Sequence, residues 1–320
     1  MKRKVALLLL LILSLTLCAC GAGASPGEGL ILATGNETGT YYGYGSLLAQ
    51  KVSSVTTTFV AAVPSEGSRE NILALARNEA QLALAQYDAM IYAREGSHTF
   101  QVNGPNTGFS TVAALYPEAV HIVTLDPSVK TVADLAGKRV SLGAGGSGIY
   151  TNAVDILGAY GLTEKDIIPS FHPHSEAVDA LLNGWLDAAF ITAGAPVTAV
   201  MMIAEERPVY LISLDEAHIE ALVAAGPAYS RAVIPADVYG TAGDCTTVAI
   251  DAVLIADNRV PENEVYDFIR GVYDNVDSLR RETRFADYLS VELAASVAGI
   301  PYHPGAVRYF AEHGITVPAG

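Results

Sequence analysis

Three times in succession after residue 29, a short apolar run stops at a polar turn. Leu30-Ile31-Leu32-Ala33 stops at Thr34-Gly35, and a turn over 36–42 leads into a helical pattern through Leu47, Leu48 and Val52. The β-branched stretch 56–63 runs into Ser65-Glu66-Gly67-Ser68, then a helix with Ile72, Leu73 and Leu75 on one face. Residues 81–85 read as a third strand, ending at Gln86-Tyr87-Asp88. Strand, turn and helix at this spacing predict a parallel sheet with helices laid across it, because parallel neighbours need a crossover long enough to hold a helix.

The pattern restarts further along. Strands are predicted over 119–125 and 138–142, followed by Gly143-Ala144-Gly145-Gly146-Ser147-Gly148. A helix over 150–160 closes on Gly161, a suitable C-cap. Strands follow over 167–171, 188–191, 209–212 and 248–255, then helices over 264–275, 278–288 and 304–313. The expectation is an α/β chain of two lobes, each a mainly parallel sheet flanked by helices, with a helical C-terminal tail. The chain crosses between lobes near 115–125 and 245–255. Residues 30–118 and 252–320 then form a discontinuous first lobe, and 119–251 the second.

The N-terminus reads as an export signal over residues 1–19. Lys2, Arg3 and Lys4 precede an apolar run over 7–13, too short to span a bilayer. Leu17-Cys18-Ala19-Cys20 then reads as a lipobox with Cys20 lipidated, and residues 20–29 as a tether outside the cytoplasm. The formal charge of -15, which loss of the signal's cations makes more negative, argues against nucleic acid. With Cys18 removed and Cys20 lipidated, Cys245 has no partner and is expected to be buried and inert.

In open parallel sheets ligands gather beyond the carboxyl ends of the strands. Four loops at such ends, over 34–44, 64–71, 86–88 and 143–152, are rich in Gly, Ser, Thr and Tyr. Helix N-termini there offer free N–H groups to an anion, although ordinary turn and cap chemistry accounts for any one loop alone. Tyr41, Tyr42 and Tyr44 serve either to cover a ligand or to pack.

Catalytic and cofactor signatures are incomplete. Gly143, Gly145 and Gly148 match G-x-G-x-x-G, yet Ser170-Phe171-His172-Pro173-His174 lacks the acid that would bind a ribose. Ser147 lacks the following glycine of a nucleophile elbow, since Ile149 stands there. His172 and His174 have no carboxylate or cysteine at ligand spacing and read as surface residues. No enzyme, cofactor or metal site is expected.

Several segments, in order, resemble the TAXI solute-binding proteins of TRAP transporters. They are Ala33-Thr34-Gly35 with Gly39-Thr40-Tyr41-Tyr42, Ser65-Glu66-Gly67-Ser68 with Asn71, and Leu84-Ala85-Gln86. Next come Ala114-Leu115-Tyr116-Pro117-Glu118, Asp134-Leu135-Ala136-Gly137-Lys138-Arg139-Val140 and Gly146-Ser147-Gly148. Asp187-Ala188-Ala189-Phe190 and Ile300-Pro301-Tyr302-His303-Pro304-Gly305-Ala306 complete the set.

The resemblance implies a two-lobe, periplasmic-binding-protein-like fold, a cleft for a small organic acid or amino acid (glutamate-like or dicarboxylate), and a sodium-driven TRAP permease as partner. Candidate ligand residues are Gly35, Thr40, Tyr41, Tyr42, Ser65, Ser68, Asn71 and Gln86 from one lobe, and Ser147, Gly148, Asn152, Thr192 and Gly194 from the other. Two departures bear on the ligand: Asn36-Glu37 stands where the family has glycines, and Ile149-Tyr150 follows Gly148. A sensory module serving a membrane kinase shares the implied fold, and a lipoprotein hydrolase is the remaining rival.

Overall fold

The computed structural model describes residues 29–226 and 228–319. The signal sequence, Cys20 and nearly all of the tether lie outside the described residues. No described helix is long and apolar enough to cross a membrane.

Among the described residues ten strands form one sheet, ordered β2-β1-β3-β10-β4-β7-β5-β6, with β9 against β10 and β8 (Tyr210–Leu211) against β4. At one end β1 (Leu30–Ala33) lies parallel between β2 (Val60–Val63) and β3 (Leu82–Gln86). At the other, β5 (Arg139–Ser141) lies parallel between β6 (Ile168–Ser170) and β7 (Ala188–Ala193). Helices α1 (Thr40–Val55), α2 (Ser68–Ala76), α3 (Tyr87–Glu95), α4 (Gly148–Ala159) and α5 (His174–Leu182) follow β1, β2, β3, β5 and β6. All five β3 residues are buried, as expected of a strand covered on both faces.

Two long antiparallel strands join these ends. β4 (Phe109–Thr124) and β10 (Cys245–Asp257) pair from Phe109↔Asp257 to Ala119↔Ala249, with register shifts beside Ala252 and Leu254. β10 also pairs with β3, while the far half of β4 pairs with β7. The molecule is therefore a two-lobe α/β fold whose lobes share a single sheet. β4 and β10 run antiparallel to their neighbours, so the parallel pairing is confined to the two outer triplets.

Several elements differ from the sequence expectation. The stretch 56–59 is not strand, because α1 continues to Val55 and Thr56 caps it with its N–H on Val52 O. β4 is 16 residues long and carries Pro117 without interruption. The strand β9 (Tyr229–Ile234) was not foreseen. The helix expected over 278–288 is instead a short α9 (Val276–Leu279) and a separate 3-10 turn at Arg284–Tyr288. The tail otherwise packs α8 (Glu262–Tyr273) against α11 (Pro304–Glu312); the remaining helices are α6 (Thr198–Glu206), α7 (Glu216–Ala225) and α10 (Val291–Ala294). Cys245 is buried, and burial pushes its thiol pKa up.

Candidate functional site

A cavity of about 50 Å³ lies between the lobes, room for about four waters at ~10–15 Å³ each. Its walls are the carboxyl ends of β1 and β3, the middle of β4, and the starts of four helices. Gly39, Thr40 and Tyr41 open α1, Gly67 and Ser68 open α2, Ser147 and Gly148 open α4, and Pro173 and His174 open α5. None of these four N-termini has a side-chain cap. Their first-turn N–H groups lack intrahelical partners, and each end carries partial positive charge. Among the described residues no lysine or arginine lines the cavity.

The lobes meet closely around it. Thr40 Oγ1 donates to Gly194 O across the cleft at 3.2 Å, and Glu70 N donates to Gly146 O at 3.2 Å. Gln86 Nε2 donates to Asn152 Oδ1 at 3.1 Å, and Asn152 Nδ2 donates to Asp88 Oδ2 at 2.8 Å. Thr192 Oγ1 donates to the same Asn152 Oδ1 at 2.9 Å. Asn152 is thus the hub of a buried bridge between lobes, completed by Tyr229, whose hydroxyl accepts from Asn152 and donates to Asp155. Burial pushes the Asp88 carboxyl up to about 7, with the nearby Asp155 adding to the shift.

Of the candidate residues, Gly35, Thr40, Tyr41, Ser68, Gln86, Ser147, Gly148 and Thr192 line the cavity. The other five do not. Tyr42 is half-buried and away from it. Ser65 Oγ donates to Thr34 O and accepts from Gly67 N, which shapes the turn before α2. Asn71 is fully buried and donates to both Thr34 O and Leu84 O at 2.6 Å, tying the ends of β1 and β3 together. Asn152 works behind the wall, as above. Gly194 packs beneath Phe285 and Tyr116, where a Cβ would collide with the Phe285 ring.

Two residues without a sequence-derived role face the cavity. Glu118, on β4, is 3% exposed; its Oε2 has no hydrogen-bond partner, and burial pushes its pKa well up. The Tyr41 hydroxyl lies close enough to influence that carboxyl but forms no well-aligned hydrogen bond with it. His174, expected at the surface, has both ring nitrogens enclosed and unpartnered, although part of the residue reaches solvent. Burial lowers its pKa to about 4, so the ring is neutral near pH 7 with one donor and one acceptor to offer. Glu37 is exposed and absent from the walls, so the buried carboxylate at the site is Glu118. Glu66 is a second carboxylate lining the cavity, and it is exposed. Among the described residues, no group of three or more His, Cys, Asp or Glu side chains is placed to hold a metal ion.

A cavity enclosed by two α/β lobes joined through paired strands defines the two-lobe fold of the periplasmic binding proteins. Solved structures agree. The alkanesulfonate-binding protein SsuA from Xanthomonas axonopodis pv. citri, bound to MOPS, superposes with a TM-score of 0.52 at 18% identity over 90% of this chain and 85% of that one. An ancestral arginine-binding protein bound to arginine gives 0.50 at 12% identity, over 83% of this chain and all of that one. Residues 32–314 match the NMT1-like family, and the chain belongs to it.

Proposed function

We propose that this protein is an extracytoplasmic solute-binding protein of the TAXI type, which captures a small organic acid or amino acid by closing its lobes and delivers it to a TRAP permease. The observation that carries the reading is the cavity between the lobes at the strand ends, ringed by four uncapped helix N-termini and by the hydroxyls of Thr40, Tyr41, Ser68 and Thr192. Such a ring stabilises a carboxylate without any cation. The fold supports a binding protein, and the neighbours named above bind an alkanesulfonate and arginine. The TAXI assignment rests on the ordered motifs, and the lipid anchor on the lipobox at Cys20.

Closure follows from differential contact. Ligand bridging Thr40 and Ser68 on one side and Gly148 and Thr192 on the other favours the state in which both half-sites meet. The test is the melting temperature of the full chain in detergent, read against amino acids, dicarboxylates and short oxo-acids. A ligand that binds only the folded state raises it once its concentration exceeds Kd. A rise with one chemical series supports the reading; no rise across the panel retires it.

A further inference from the structure

We infer that Glu118 reads the ammonium group of a zwitterionic ligand, so that the cavity takes a free amino acid and discriminates against the same acid without its amine. This rests on the solute-binding reading and narrows its ligand class.

The cavity has two electrostatic halves. One is the ring of helix ends, at α1, α2, α4 and α5, which favours a carboxylate. The other is Glu118, almost fully buried, with Oε2 unpartnered and no lysine or arginine in the walls to balance it. A buried carboxylate in that position either keeps its proton or pairs with a cation brought from outside. A dicarboxylate or oxo-acid would bring no cation and would add negative charge beside it. An ammonium group brings one positive charge and three donors. Glu118 would accept one of those bonds, and the unoccupied acceptors Gln86 Oε1 and a His174 ring nitrogen line the same space. Glu118 lies on β4, where that strand passes between the lobes, so it is present to the ligand at whatever angle the lobes adopt.

The test is calorimetry on the full chain in detergent with matched pairs that differ only in the amine: alanine and propionate, serine and 3-hydroxypropionate, glutamate and glutarate. The expected result is that each pair with measurable binding favours the amino acid by at least about thirtyfold, the equivalent of losing one partner of a buried charged hydrogen bond. In E118Q, which keeps shape but not charge, that preference should fall to within about threefold, with propionate-type ligands binding no worse than before. Deaminated acids that bind wild type as tightly as their amino acids would overturn the inference and leave the solute-binding reading intact. So would an E118Q protein that keeps the full preference. Silence from both members of every pair, together with no melting shift in the wider panel, would overturn both.

Discussion

At the scale of single residues, Gly148 shows how closely the two half-sites approach. A Cβ there would collide with Gln86 Oε1 and stand 3.2 Å from Ser68 Oγ, both on the opposite lobe. Gly148→Ala should therefore oppose closure rather than folding. Overpacking of this kind costs about 1–3 kcal/mol. Ligand affinity should drop by that amount in a titration while the ligand-free melting temperature stays within a degree or two. A large fall in the ligand-free melting temperature would mean that Gly148 matters to the fold instead. Many of the wall residues were readable because Gly, Ser and Thr at strand ends have few other places to go. Glu118 and His174 were not. The sequence pattern begins a strand at residue 119 and leaves Glu118 in the crossing before it; nothing local reveals that β4 runs unbroken from Phe109 through Glu118 to Thr124. His174 looked like surface because its burial comes from Gly39, distant in sequence, whose hydrogen would be replaced by a Cβ 2.9 Å from the imidazole Nδ1.

At the scale of elements, a side chain adds to the ladders that hold the strand ends in place. Asn71, on the first turn of α2, spans Thr34 O of the β1 end and Leu84 O of β3. Asn71→Ala leaves Leu84 O without this donor and Thr34 O with only Ser65. At ~1–3 kcal/mol for each buried group left wanting, denaturant titration should show about 2–3 kcal/mol less stability. Ligand affinity should weaken too, since Gly35 and Gln86 are positioned by those same ends; a stability loss with unchanged affinity would separate the clamp from the site. The strand–helix alternation was legible because apolar runs bounded by glycine announce buried parallel strands. The failures have physical causes. β9 exposes Ser230, Arg231 and Val233 and buries only its end residues Tyr229 and Ile234, so no buried-strand pattern announces it and it owes its existence to pairing with β10. Thr56-Thr57-Thr58 looked extended by β-branching, yet α1 reaches Val55 and the threonines form its exit turn, with Thr56 Oγ1 donating to Val52 O.

At the scale of the whole molecule, buried charge makes stability depend on pH. Four acids, Asp88, Glu118, Asp155 and Asp251, are all pushed up by burial, and the enclosed rings of His121, His174 and His303 are pushed down. For Asp88 the folded carboxyl holds its proton up to about 7, whereas the unfolded one loses it near 3.8. Its contribution is thus full below about 3.8 and is lost as pH rises toward 7. His121 and His174 act in the opposite sense, stabilising above their ordinary 6.5 and losing that effect as pH falls toward 4. Comparing Asp88→Asn with wild type isolates the first term, because the histidines are common to both. The variant's melting temperature relative to wild type should climb between pH 4 and 7 and level off above; a flat difference would show that Asp88 does not titrate in that window. The shared sheet has one more consequence, for the way such a molecule can be rebuilt. Pro117 and Asp251 are direct neighbours across the β4–β10 ladder, so the long stretch between them leaves and returns at a single point. A segment whose two ends touch is a cassette: exchanging it for another requires matching one pair of adjacent backbone positions, and the rest of the chain need not be rethreaded.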